Sequence, residues 1–339
     1  MRFHLLLFAL FATACTTISP QPGQRVLPGS TVEVPERLSA PTELTVTPHE
    51  TKIVEESFIL RVYDWLRGDD YEAFRVDYRG ADEEPARAHL LIPPGAGPHP
   101  GVMVFPIRGG SHLVSEALSK SLTNRGYVTL RLERRRVFQP GDPTGDFRVP
   151  ASRLRDSLSD ARRLLDWFAS HPEVDGDRIG VAGVSLGGIM AATLLGMDER
   201  IRAGFFIMAG GGLPEIIHDS HDPRLESFRD GVQGSAGEVD REAFLQAMRP
   251  TTLDLDPLTF AANVEPDRAL IVSARFDRVV PPQSTEALWE AMGRPRWIKV
   301  PSGHLAILPF FWWSVGQGAD LFDRVFAEPS NQQHAAERP

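Results

Sequence analysis

Ile179-Gly180-Val181-Ala182-Gly183-Val184-Ser185-Leu186-Gly187-Gly188 decides how the rest of this chain is read. Ile179 to Ala182 is a short run suited to a strand buried on both faces. From Leu186 to about Leu195 the residues suit a helix. Between them stands Gly-x-Ser-x-Gly, which places a serine on a sharp strand-to-helix turn. Side chains at Gly183 and Gly187 would clash with neighbouring backbone there. The turn exposes the Ser185 hydroxyl, and the helix start aims free N–H groups at whatever it attacks. The alternative reading is a glycine-rich turn with Ser185 as a helix N-cap.

Outward from this turn, strands and helices alternate. Phe74 to Tyr78, Ala88 to Ile92, Val102 to Phe105, Tyr127 to Leu130, Gly204 to Met208, Ala269 to Ala274 and Trp297 to Val300 read as strands. Helices are expected at 114–124, from Ser152, near 286–292 and near 319–326. The second follows from the spacing of Leu154, Leu158, Ala161, Leu165 and Phe168. This alternation predicts a mostly parallel, doubly wound sheet. Residues from about 210 to 262 break the rhythm and are expected to form an insertion, a small cap above the sheet. Chemistry is expected at the carboxyl ends of the strands.

A serine nucleophile needs a base, and the base needs an orienting carboxylate. Asp277 follows the strand ending at Ala274, and His304 follows the strand ending at Val300. Asp254 and Asp256 are rival acids, placed before the strand rather than after it. The oxyanion donors are expected to be the N–H groups of Leu186 and Arg108, with Ile107 second to Arg108. The Arg108 side chain would either hold its own loop or reach an anionic substrate group.

The run from Asp160 to Gly188, DARRLLDWFASHPEVDGDRIGVAGVSLGG, resembles the α/β-hydrolase fold, and within it the dienelactone-hydrolase-like esterases. The resemblance covers roughly Phe74 to Phe326. It implies the order serine, acid, histidine. The enzyme that names the family uses a cysteine nucleophile, and here the position holds Ser185. The family's His-Gly in the oxyanion loop is replaced by Pro106-Ile107-Arg108-Gly109-Gly110. The expectation is a serine esterase acting on a small-molecule ester. Within the enzyme class the alternatives are a prolyl-oligopeptidase-like peptidase and an acyltransferase. From another class, it is a non-catalytic envelope binding protein on the same fold.

Composition narrows the rest. The 339 residues are 42% hydrophobic, enough for a large core, and carry a formal net charge of −9. That balance disfavours phosphate-neutralising nucleic-acid binding. Cys15 is the one cysteine, which excludes an intramolecular disulfide and a thiolate zinc site. No nucleotide-binding glycine motif is present, so no cofactor is expected. His218 and His221 suit a polar cap loop better than a metal pair, and Arg134 to Arg136 suit a solvated or anion-binding face. Trp312 and Trp313 suit either a substrate pocket or a buried helix face.

At the N-terminus, Arg2, the apolar run Leu5 to Phe11, and small Ala12-Thr13-Ala14 precede Cys15. That order is the order of an export signal, residues 1–14. Its end resembles a bacterial lipoprotein signal, in which the cysteine is lipidated, although Ala12 stands where that family usually has leucine. This implies a cell-envelope protein held to a membrane through Cys15, with ordinary secretion as the alternative. Residues 15–52 carry Pro20, Pro22, Pro28, Pro35, Pro41 and Pro48, as in an extended tether or an arm packed on the domain. The hydrolase domain is expected over 53–327 and a polar tail over 328–339.

Overall fold

The computed structural model describes residues 15–19, 36–41, 43–48, 70–107, 113–133, 136–139, 142, 145–236 and 240–328. The expected signal segment lies outside them, as do Arg108, Arg134, Arg135 and residues 329–339. Among the described residues ten strands form one sheet: β1 (Thr16–Ile18), β2 (Leu44–Pro48), β3 (Glu72–Arg79), β4 (Pro85–Ile92), β5 (His99–Phe105), β6 (Val128–Leu132), β7 (Val174–Val184), β8 (Ile201–Ile207), β9 (Ala269–Ala274) and β10 (Arg296–Val300). Their spatial order is β1-β10-β9-β8-β7-β5-β6-β4-β3-β2. β6, β5, β7, β8, β9 and β10 run parallel in the middle. β4, β3 and β2 continue one side antiparallel, and β1 closes the other.

The two cores follow from the two-residue period of a strand. Met103 and Phe105 of β5 enter one apolar cluster, and Val102 and Val104 enter the other. The second cluster is covered by α1 (Leu113–Thr123) and by a long last helix, Leu308–Phe326. The first is covered by α2 (Arg148–Ala169) and α3 (Leu186–Met197). In α2 the positions expected to face inward, Leu154, Leu158, Ala161, Leu165 and Phe168, are all buried.

Residues 16–18 and 44–48, within the proline-rich stretch, pair with β10 and β3 at the two edges of the sheet. The insertion is helical: α4 (Leu213–Asp219), α5 (Pro223–Ala236), α6 (Arg241–Thr252) and α7 (Pro257–Phe260). After it come α8 (Pro282–Ala291) and the final helix, α9 (Leu308–Phe326). α9 begins well before the expected position near Ala319. Its early turns hold Pro309, Gly316 and Gly318, which read as breakers. Pro309 is tolerated because the first turn has no internal partner for its missing N–H. Gly318 is required because a Cβ there would lie 2.4 Å from the Phe205 ring. No described helix is long and apolar enough to cross a membrane.

Candidate active site

Three loops at the carboxyl ends of the parallel strands β7, β9 and β10 carry the expected residues. Ser185 stands between β7 and α3 with φ 57° and ψ −126°, a strained conformation for a side-chain-bearing residue. The turn is held by the Ser185 N–H, which donates to the Ile207 carbonyl at 2.8 Å. A Cβ at Gly183 would lie 2.2 Å from the Gly187 carbonyl oxygen. One at Gly187 would lie 2.6 Å from the carbonyl oxygens of Phe105 and Pro106. Backbone meets backbone on both flanks, so only glycine fits.

His304 opens a short 3-10 turn, His304–Ile307, after β10. Its Nε2 lies 2.9 Å from Ser185 Oγ. Its Nδ1 lies 2.7 Å and 3.0 Å from the two carboxylate oxygens of Asp277. A carboxylate only accepts, so Nδ1 carries the proton and donates to Asp277. Nε2 is then left as the acceptor for the serine hydroxyl. Asp277 is itself fixed: its Oδ1 accepts the N–H groups of Val279 at 2.8 Å and Val280 at 2.9 Å. Its side chain is 3% exposed and that of His304 is 11% exposed, so the pair sits largely out of water.

The rival acids are engaged elsewhere. Asp254 takes Arg155 in a two-pronged surface pair at 2.5 Å and 2.9 Å. Asp256 accepts three backbone N–H groups, from Gly212, Leu213 and Leu258. Burial pushes the Asp256 carboxyl up, against the downward pull of those three donors.

Leu186 is the first residue of α3, so its N–H has no intrahelical acceptor and is available to an oxyanion. The second donor was expected at Arg108, which lies outside the described residues. Ile107, just before it, lines one small cavity together with Leu186. The remaining candidates resolve differently. Trp312 and Trp313 pack on the second apolar cluster as part of α9. His218 Nδ1 faces Asp219 at 2.6 Å, and His221 Nδ1 lies 3.4 Å from Glu226. Among the described residues no group of three metal-ligating side chains is present. Cys15 precedes β1 and is partly buried against the second cluster, which pushes its thiol up.

Two features were missed in the sequence. An apolar cleft beside Ser185 includes Leu213, Ile216 and Ile217 of α4. Their spacing, one helical face amid charged neighbours, was the available signal. Met208, at the end of β8, has φ 52° and is 2% exposed. It turns the chain from the sheet into the insertion, and no residue type announces such strain.

Comparison with known proteins agrees with this architecture. Residues 86–224, which include Ser185, match the Dienelactone hydrolase family. The acetyl xylan esterase 1 of Thermoanaerobacterium sp. JW/SL YS485 superposes with a TM-score of 0.61 at 16% identity, over 83% of this chain and 88% of that one. The acetyl xylan esterase of Paenibacillus sp. R4 superposes with a TM-score of 0.57 at 17% identity, over 79% and 87%. In sequence, the chain is 24% identical to the mouse (Mus musculus) acyl-coenzyme A thioesterase 1 over 182 residues. That stretch is 49% of this chain and only 41% of the thioesterase. The fold is that of the α/β hydrolases.

Proposed function

We propose that this chain is a serine hydrolase that cleaves carboxylic esters through an acyl-enzyme. His304 Nε2 takes the Ser185 proton as Oγ attacks the acyl carbonyl. The tetrahedral oxyanion is held by the Leu186 N–H and by a second N–H from the loop at 107–108. His304 then gives its proton to the departing alcohol, leaving an ester on Ser185. Water repeats the cycle with His304 as base and releases the acid. Asp277 fixes the Nδ1–H tautomer and stabilises the imidazolium.

The observation that carries this reading is the unbroken hydrogen-bonded line from Ser185 Oγ through His304 to Asp277. The match to the Dienelactone hydrolase family supports a hydrolase. A protein that kept the fold only for binding has no use for so complete a line, buried at its acid end.

The test is hydrolysis of p-nitrophenyl acetate by wild type, Ser185→Ala, His304→Ala and the double variant. Each single variant is expected to lose several orders of magnitude, up to about 10⁶, and the double little more. Additive losses would mean that the two residues do not share one mechanism.

The order of residues 2–15 further supports export and a lipid anchor on Cys15, which would make this an envelope enzyme held at a membrane.

A further inference from the structure

A cleft of about 60 Å³ opens beside Ser185, and every other residue lining it is apolar. Leu186 and Ile189 supply its wall from α3, and Val279 and Val280 supply another from the loop that positions Asp277. The insertion closes it with Leu213, Ile216 and Ile217 of α4 and Leu225 of α5. The cleft therefore touches the nucleophile, the acid's own loop and the cap at once.

That closing wall is braced. The N–H groups of Gly212 and Leu213, where α4 begins, donate to Asp256 at 3.0 Å and 2.5 Å. The same carboxylate caps α7 through the Leu258 N–H at 3.0 Å. Phe228 of α5 packs edge-on against Phe147, itself a lining residue, and against Phe244 of α6, with centroids 5.5 Å and 6.4 Å away. A braced wall sets a fixed limit on what enters, because packed interiors yield little.

We propose that this cleft is the acyl pocket and that residues 213, 216, 217 and 225 make the enzyme selective for short, neutral, aliphatic acyl groups. The proposal rests on the reading of Ser185 as an esterase nucleophile. One water-sized group needs roughly 10–15 Å³, so the cleft holds about four to six such groups. That suits acyl chains of two to about five carbons. A carboxylate at the far end of the acyl chain would find no partner among the described lining residues, and burying it unpaired is costly.

The test uses two matched ester series and phosphonate labelling of Ser185. In p-nitrophenyl esters from acetate to laurate, kcat/KM is expected to rise about fourfold per methylene until the cleft is full. It then falls more than tenfold by octanoate, and the hemisuccinate is cleaved at least tenfold more slowly than the butyrate. Across acetates of lengthening alcohols the change stays under tenfold. Ile217→Ala or Leu225→Ala is expected to move the acyl optimum at least two carbons longer, with labelling of Ser185 retained. Ile217→Val, a milder change, should move the octanoate-to-butyrate ratio the same way should the alanine variants not fold. A wild-type optimum at octanoate or beyond, chain-length control in the alcohol series instead, or an unmoved optimum in a folded, labelled variant would overturn the proposal alone. Failure of wild type to label would overturn the esterase reading and this proposal with it.

Discussion

His304 Nε2 lies 2.9 Å from Ser185 Oγ, although the two residues are 119 positions apart in the chain. The sheet closes that gap. Ser185 follows β7 and His304 follows β10, and two parallel strands, β8 and β9, lie between. Asp277 comes from the loop after β9 and meets the other ring nitrogen, so the imidazole is held at both Nδ1 and Nε2. Each of the three side chains sits on the loop where its strand ends, so the geometry belongs to the scaffold rather than to any one loop.

The acid is the member with named rivals, and their surroundings separate them. Asp277→Asn is expected to leave the fold intact and lower kcat by roughly 10⁴, because the wrong imidazole tautomer is favoured. Asp254→Asn removes only a surface pair with Arg155 and should cost less than tenfold. Asp256→Asn should lower the melting temperature through its lost ties to α4 and α7, while costing activity far less than Asp277→Asn does. Steady-state kinetics beside thermal unfolding checks all three. Near-normal turnover in Asp277→Asn would remove it from the triad.

The nucleophile turn makes a sharp claim about glycine. Gly183→Ala puts a methyl group 2.2 Å from a backbone oxygen. Neither side can swing away, so a loss of about 3 kcal/mol or more is expected. At Gly303, beside His304, the nearest atom to a Cβ is 3.6 Å away. Gly303→Ala should therefore stay within about 1 kcal/mol of wild type. Denaturant melts of the two variants that came out alike would contradict the turn described here.

How far these features could be read in the sequence depended on how local their physics is. Ser185, Asp277 and His304 were legible because each follows a buried apolar run by a few residues. The parallel sheet was legible for the same reason. The cleft was not, because its walls come from residues as far apart as Val137 and Val280, which only the folded chain brings together. β1 was missed because it is only three residues long, and β2 because its alternation, Leu44 to Thr47, is short, mostly exposed and set between Pro41 and Pro48. The early turns of α9 were hidden by glycines whose reason, the Phe205 ring against Gly318, lies on another element.

Glu133, at the end of β6, gives a pH signature. Its hydrogen bond to His89 holds the carboxyl down, from 4.5 to about 2, with Arg87 and Arg131 adding to the effect. The folded state therefore favours the ionised form. That contribution is complete above about pH 4.5 and disappears as pH falls toward 2. Its size is roughly 1–2 kcal/mol once the 28% exposure of the side chain is allowed for. In thermal melts across this range, Glu133→Gln should be less stable than wild type at pH 6 and converge with it near pH 2. A difference independent of pH would contradict the assignment.

The anchor reading is checked by fractionating the exported protein. Wild type is expected in the membrane fraction, with Cys15 as its first mature residue. Cys15→Ser should be released or left unprocessed. A mature N-terminus downstream of Cys15 would show that no lipid is attached there.

The most direct test of the central claim is the mass of the adduct formed with a fluorophosphonate, located by sequencing the modified peptide. One phosphonyl group is expected on Ser185, absent in Ser185→Ala and formed at least a hundredfold more slowly in His304→Ala. An unreactive wild type, or an adduct on any other residue, would contradict the account of Ser185 as a nucleophile activated by His304.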